Sequence, residues 1–254
     1  MFKGGNNNVY DLTSERWRRT FRDFYLPRRH TVLLVAIVAF LAVFPVLGEA
    51  GPERTVFGLA LVALLVVALY TIQVDELVGE RDKLLAERRQ RKLVGWSLAS
   101  AAVIARVVTI LWPNHTLYLI GSVCFLLFFG FVTWQQLRAV LRQRTITAES
   151  ISMSISVYLL MGITWGLLYV VIYDRHPQAF SFAGSTEQLT ELNIFPTLIY
   201  FSLTTLSTIG FGDITPVLMQ ARYAAVAEGI TGQFYLAILV ARLVGMYMSH
   251  PRET

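Results

Sequence analysis

The chain has 254 residues, of which 55% are apolar and only 15% are charged. A soluble domain carries about 25% charged residues, because its surface has to stay hydrated. This composition excludes a soluble globular enzyme, and it excludes a disordered chain, which would be poor in apolar residues. The net charge of +5 indicates a kind of partner only once the positions of the basic residues along the chain are known. The single cysteine, Cys124, excludes an internal disulfide.

Long apolar runs predict an all-helical integral membrane protein. About 20 helical residues cross the ~30 Å hydrocarbon core of a bilayer, and six runs approach or exceed that length with almost no charge. The predicted spans are 31–47, 55–73, 93–112, 117–134, 151–173 and 221–248. Residues 75–93, between the second and third spans, are predicted to continue the second helix.

The basic residues orient these spans. The segments before the first span, between the second and third, and after the fourth are rich in Lys and Arg, whereas loops 48–54 and 113–116 contain only Arg54. Basic loops face the cytoplasm, so we predict a multi-pass protein of the cell (plasma or inner) membrane with both termini cytoplasmic. The positive charge is therefore a topology signal, and no nucleic-acid partner is expected.

A short apolar segment interrupts this pattern between the fifth and sixth spans. Residues 196–206 favour a helix that opens at Pro196, but they are too few to cross a membrane. They lead into the sequence TIGFGD at 208–213, which we call the signature segment. A half-length helix followed by an extended, glycine-interrupted strand is tolerated at membrane depth only where protein or water covers it, which predicts a re-entrant loop.

The sequence TTLSTIGFGD at 204–213 resembles the pore signature of tetrameric potassium channels, with Phe211 at a position where Tyr is commoner. The resemblance implies a channel of the P-loop (voltage-gated-like) cation superfamily, of the bacterial six-transmembrane type. It further implies a homotetramer in the lipid bilayer that conducts K⁺ passively and needs no cofactor. The outer helix, a pore helix, the filter strand and the inner helix are the parts that the resemblance covers.

The physical chemistry of the signature segment agrees with a selectivity filter. Gly210 and Gly212 can adopt the positive φ that other residues avoid. Successive carbonyl groups can then point one way and replace the hydration shell of K⁺, while alternate side chains point into a supporting shell. The filter residues implied in this way are Thr208 (carbonyl and hydroxyl), Ile209, Gly210, Phe211 and Gly212, with K⁺ at the first four and the side chains of Ile209 and Phe211 outward.

Other positions match supporting parts of the same family. Tyr200 and Phe201 stand where the family commonly has two tryptophans beside the filter, and Asp213 matches the acidic residue after it. Gly232 matches the hinge glycine of the inner helix, with a helix-packing glycine as the alternative. Arg242, near the end of the last span, is interpreted as an interface anchor.

Glu228 lies within the last span, where an ionised carboxylate facing lipid costs about 3 kcal/mol or more. We expect it behind the filter, hydrogen-bonded to hydroxyl groups of the pore helix such as Thr204, Thr205 or Ser207. A carboxylate that faces the ion pathway and attracts cations is the alternative.

The resemblance stops at voltage sensing. Residues 117–134 contain no charge, whereas a voltage sensor needs several arginines within that span, so we predict a channel that is not strongly voltage-gated. No catalytic constellation accompanies the histidines or acids, so an enzyme is not expected. The gating stimulus is left open.

Three regions follow: a cytoplasmic basic segment at 1–30, a four-helix peripheral domain at 31–145 and a pore domain at 146–254. Trp17, Phe21, Phe24 and Tyr25 share one face of the first region, which indicates an interfacial helix or a disordered arm. Two alternatives to a potassium channel stay open, namely a weakly selective cation channel and a non-conducting regulatory or scaffold subunit.

Overall fold

The computed structural model describes residues 26–47, 53–78, 85–112, 114–143, 146–183 and 194–248. Within these ranges the chain is mostly helical, with seven α-helices, one 3₁₀ turn and two short strands. The helices are α1 (Leu26–Leu47), α2 (Glu53–Val78), α3 (Leu85–Leu111), α4 (His115–Arg142), α5 (Ala148–Arg175), α6 (Ile194–Leu206) and α7 (Met219–Met248). The 3₁₀ turn Pro177–Ala179 and strand β1 (Phe180–Phe182) follow α5, and strand β2 (Ile214–Pro216) precedes α7.

Long helices lie at all six positions where spans were predicted. Within the described ranges, four of them are long and apolar enough to cross a membrane, over Arg89–Thr109, His115–Arg142, Ala148–Arg175 and Met219–Met246. These helices make the chain a multi-pass membrane protein. The aromatic face predicted near the N-terminus lies outside the described residues.

The segment between the second and third spans is described in two parts. Residues 75–78 belong to α2, as predicted, and residues 85–93 are continuous with the rest of α3, whereas the predicted continuation over 79–84 lies outside the described residues.

One small sheet departs from the all-helical expectation. Strands β1 and β2 pair antiparallel, with Phe180 opposite Pro216 and Phe182 opposite Ile214. Each strand has three residues, which is too short for the alternating pattern by which strands are predicted from sequence. The sheet joins the chain leaving α5 to the chain that follows the signature segment.

Helix α5 is the central element, because it packs against α1, α4 and α6. It begins with a capping box between Thr147 and Ser150. In its first turn, the carboxylate of Glu149 accepts hydrogen bonds from the backbone N–H of His30 (3.0 Å) and the hydroxyl of Thr31 (2.5 Å). The start of α5 is thus fixed to the start of α1.

Two glycines of α5 allow α6 to approach closely. A Cβ atom on Gly166 would lie 3.0 Å from the Cα of Ile199, and one on Gly162 would lie 2.5 Å from a methyl carbon of Leu203. Both glycines are on one face because they are four residues apart, which is the small-residue spacing typical of close helix pairs in membranes. Helix α6 therefore rests directly on the backbone of α5.

The C-terminal half of α7 forms hydrogen bonds with α4 and α5. The guanidinium of Arg242 donates to the backbone carbonyls of Val140 and Gln143, each at 2.8 Å, and so caps the end of α4. The interpretation of Arg242 as an interface anchor did not include this capping contact, and the anchor role stays a prediction. About two helical turns earlier, the hydroxyl of Tyr235 donates to the carbonyl of Ser154 in α5 at 2.7 Å.

Candidate functional site

The backbone of the signature segment alternates between two conformations. Thr208, Gly210 and Gly212 have φ of 60°, 53° and 80°, whereas Ile209 and Phe211 between them do not enter the positive region. The positive φ predicted for the two glycines is confirmed, and Thr208 adopts it as well, which is uncommon for a β-branched residue. Alternation of this kind is what the predicted filter requires, because it allows successive carbonyl groups to face one side of the strand.

The carbonyl of Thr204 holds the beginning of this segment. It accepts the N–H of Ile209 at 2.9 Å and that of Gly210 at 3.2 Å, while the N–H of Thr208 donates to Thr205 at 3.0 Å. The last turn of α6 thus fixes the direction in which the chain leaves the helix, since its free carbonyls are satisfied by the signature segment itself.

Tyr200 contacts the far end of the signature segment in two ways. Its ring lies parallel to that of Phe211, with centroids 6.3 Å apart, and its hydroxyl donates to the carboxylate of Asp213 at 2.9 Å. The hydrogen bond to Asp213 raises the pKa of the Tyr200 phenol above its usual value. The Phe211 ring therefore contacts α6 through Tyr200, although in the single chain Phe211 is 68% exposed and Ile209 is 58% exposed.

The small sheet fixes the same end of the segment from the other side. The carbonyl of Asp213 accepts the N–H of Ala183 at 2.7 Å, and the carbonyl of Ala179 accepts the N–H of Val217 at 2.8 Å. Because these backbone bonds flank the β1–β2 pairing, the chain that leaves the signature segment is anchored to the end of α5.

Phe201 belongs to a cluster of three buried aromatic rings. It meets Tyr169 of α5 edge-on at 5.1 Å and Phe180 of β1 at 5.4 Å, and those two rings are 5.7 Å apart. Edge-to-face pairs of this kind add stability beyond the area that they bury. Sequence reasoning identified Phe201 but missed its two partners, because the contacts come from separate elements and leave no local pattern.

The hydroxyl groups expected to bind Glu228 are used elsewhere. Thr204 donates to the carbonyl of Phe201 at 2.9 Å, and Ser207 donates to that of Leu203 at 2.7 Å. Serine and threonine often bond to carbonyls of the preceding helical turn in this way. Thr204 and Ser207 are therefore not the partners of Glu228, and no described contact joins Thr205 to it.

Glu228 is nevertheless fully buried between α5, α6 and α7, with 0% of its surface exposed. One carboxyl oxygen lies 2.5 Å from the hydroxyl of Ser202 on α6, and the other accepts the hydroxyl of Tyr169 on α5 at 2.5 Å. The short helix does supply a hydroxyl to Glu228, as expected, but from Ser202, which lies two to five residues before the predicted Thr204, Thr205 and Ser207. Complete burial in the single chain excludes a carboxylate that faces an open ion pathway.

Gly232 lies against the last residue of α6. A Cβ atom on it would come 2.6 Å from the carbonyl oxygen of Leu206, and this oxygen also accepts the hydroxyl of Tyr158 at 3.1 Å. The α7 helix is continuous through this position. The contact gives Gly232 a packing role, and its role as a hinge stays a prediction.

Comparison with known proteins identifies the region that contains these contacts. Residues 153–249 match a family model described as ion channel. These residues form an ion-channel domain. The resemblance to an ion channel, which the signature segment indicated, is confirmed for this part of the chain.

Three relatives match parts of the chain. Protein LctB of Bacillus caldotenax is 25% identical to this chain, over 39% of this chain and 73% of the relative. Its namesake in Geobacillus stearothermophilus is 25% identical over 45% of this chain and 85% of the relative. Two-pore potassium channel 4 of Arabidopsis thaliana is 37% identical, but over only 24% of this chain and 21% of its own. No solved structure matches significantly.

Proposed function

We propose that this ion-channel domain forms a potassium-selective pore in which K⁺ crosses passively through the carbonyls of Thr208, Ile209, Gly210 and Phe211. The observation that carries the proposal is the alternation of positive φ at every second residue from Thr208 to Gly212. Carbonyl groups turned to one side can replace the hydration shell of a cation that has lost its water. The plant relative is named as a potassium channel, which supports K⁺ as the ion that crosses.

The active form is a homotetramer. One chain supplies a single strand of carbonyl oxygens, and a cation needs a ring of them, so several copies have to surround a common axis. The signature segment is exposed in the single chain, with 68% of Phe211 accessible, which agrees with a surface that faces other copies or the ion pathway.

In the membrane, α1 to α5 and α7 provide six spans, and α6 is a re-entrant pore helix. At 13 residues, α6 is about 20 Å long, which is shorter than the hydrocarbon core. Both termini face the cytoplasm of a cell membrane. Residues 1–30 form a basic segment, 31–145 the peripheral domain and 146–254 the pore domain.

The filter is supported by the contacts described above. Tyr200, Phe201 and Asp213 hold its outer end, and Glu228 holds the pore helix against α5 and α7. Thr204, Thr205 and Ser207 shape the turn by which α6 enters the filter. Gly232 allows the inner helix to pack at the end of α6 and to bend during gating. Nothing in this arrangement calls for catalysis, so the proposed function is not enzymatic.

Replacing Gly210 with alanine tests the proposal. An L-residue at φ 53° is strained, so the strand relaxes and the carbonyl ladder is lost. We expect wild-type protein in liposomes to support a K⁺ flux at least about tenfold above that of Na⁺, and Gly210→Ala to lose this selectivity. The flux is measured with a fluorescent proton or thallium indicator under a K⁺ or Na⁺ gradient.

Gly245→Ala is the matched control. It makes the same chemical change in α7, at an exposed position where nothing lies within 4 Å of the new methyl group. Equal K⁺ and Na⁺ fluxes in the wild type would identify a weakly selective cation channel instead. No flux under any condition, in protein that is folded and tetrameric, would contradict the proposal and favour a regulatory or scaffold subunit.

A further inference from the structure

The contacts of Ser202 determine the protonation state of the buried Glu228. The Ser202 oxygen lies 2.7 Å from the backbone carbonyl of Gly162 and 2.5 Å from one carboxyl oxygen of Glu228. A hydroxyl group has one proton, and a backbone carbonyl can only accept. Both contacts can be hydrogen bonds only if the second proton comes from the carboxyl group.

The other carboxyl oxygen acts as an acceptor, so the proton lies on the oxygen that faces Ser202. It accepts the hydroxyl of Tyr169 at 2.5 Å, and Glu228 has no salt-bridge partner among the residues that the structure describes. A carboxylate would thus be buried without any compensating cation, which is costly in a low-dielectric environment. A neutral acid that donates to Ser202 and accepts from Tyr169 satisfies every polar atom of the group.

We infer that Glu228 is a neutral carboxylic acid whose proton is donated to Ser202, and that it positions the short helix α6 without adding charge to the ion pathway. The chain of bonds runs from the Tyr169 hydroxyl to Glu228, from Glu228 to Ser202, and from Ser202 to the carbonyl of Gly162. It joins α5, α6 and α7 behind the signature segment. The effect on ion flow rests on the proposed function, whereas the protonation state does not.

Glu228→Gln is the decisive variant, because an amide reproduces the acid. Its NH₂ group donates to Ser202 and its oxygen accepts from Tyr169, so we expect a melting temperature within about 2 °C of the wild type and unchanged unitary K⁺ conductance. Glu228→Ala removes the donor to the Ser202 oxygen and the acceptor of the Tyr169 hydroxyl, and it should melt several degrees lower. Infrared difference spectra of the wild type against Glu228→Gln should contain the C=O band of a protonated carboxyl group between pH 6 and 8.

Two serine variants serve as a matched pair. Ser202→Ala removes the acceptor of the proton and should lower the melting temperature as Glu228→Ala does, without a further fall in the double variant. Ser207→Ala, on the same helix, removes a hydroxyl whose bonds among the described residues go to carbonyls of α6, and it should have a small effect.

Three results would overturn the inference: carboxylate bands in place of the acid band, a melting temperature of Glu228→Gln as low as that of Glu228→Ala, or a lowered conductance in a Glu228→Gln variant of unchanged stability. The infrared and melting measurements need no ion flow. They stand even if the channel proves to select another ion or none, so a failure of the proposed function is distinguishable from a failure of this inference.

Discussion

At the residue scale, the contact between Gly232 and Leu206 affects how the substitution Gly232→Ala can be interpreted as a test of a gating hinge. The atom nearest to a new methyl group is a backbone oxygen at 2.6 Å, which cannot rotate away as a side chain could. That oxygen belongs to the last residue of α6, directly before the turn that enters the signature segment. An effect of Gly232→Ala on gating alone would therefore not distinguish a hinge from a packing contact.

We expect Gly232→Ala to destabilise the protein as well as to alter its open probability. Overpacking of this kind costs about 1–3 kcal/mol, which lowers the melting temperature by several degrees. Gly229→Ala is the control, since its methyl group would be 4.0 Å from the nearest atom, the carbonyl oxygen of Thr205. Both variants are compared by thermal melting in detergent and by single-channel recording in bilayers. An unchanged melting temperature with altered gating would establish a pure hinge.

Residue-level reasoning from the sequence succeeded where the local chain determines the outcome. The positive φ at Gly210 and Gly212 could be predicted because only glycine adopts it without strain. The burial of Glu228 could be predicted from the cost of a charge in lipid, but not its partners. Ser202 and Tyr169 are selected by the way in which α6 lies across α5, which no spacing along the chain encodes.

At the element scale, the close packing of α5 and α6 depends on the glycine pair at 162 and 166. We expect Gly166→Ala to separate the two helices, because the methyl group would meet the Cα of Ile199 at 3.0 Å and its Cγ1 at 2.8 Å. The expected loss is about 1–3 kcal/mol of stability, together with a less stable signature segment. Thermal melting and the K⁺ to Na⁺ flux ratio measure the two effects.

Gly130→Ala provides the comparison for that prediction. Gly130 is in α4, and a methyl group there would be 3.8 Å from the nearest atom, the Cγ2 of Thr164, which is an ordinary contact. Because alanine also favours helix, this variant should be as stable as the wild type or slightly more so. Equal behaviour of the two alanine variants would show that α6 does not depend on the approach to Gly166.

The elements themselves were predictable to different degrees. Each long helix could be predicted because membrane spans are long and uniformly apolar, and α6 because it is apolar yet short. The β1–β2 sheet could not, since three-residue strands carry no periodicity. Their paired residues are also far apart in the sequence, from 32 positions for Phe182 and Ile214 to 36 for Phe180 and Pro216. The role of Arg242 was also missed, because it caps a different helix.

At the scale of the whole molecule, the end of α7 and the end of α4 are joined by Arg242, so the peripheral helices and the ion-channel domain share a direct polar contact. A second contact joins α4 to α5 at their opposite ends, where the imidazole of His115 lies 3.2 Å from the carboxylate of Asp174. Under the proposed function, these contacts are the path by which a movement of the peripheral helices would reach the pore. Whether membrane voltage supplies that movement depends on the charges that they contain.

Helix α4 has no Asp, Glu, Lys or Arg between His115 and Arg138, which leaves its membrane-spanning part without a charge that the field could move. Each elementary charge that crosses the full field contributes about 2.3 kcal/mol per 100 mV, so a channel without such charges opens with a shallow dependence on voltage. We expect a conductance–voltage relation equivalent to about one gating charge or fewer per chain, recorded from the reconstituted channel in planar bilayers.

Arg138 lies near the end of α4, 4.7 Å from the ring of Trp134, and Arg138→Gln should leave the slope of the conductance–voltage relation unchanged. A steep relation in the wild type, or a slope reduced by this variant, would mean that α4 carries charge through the field despite its composition.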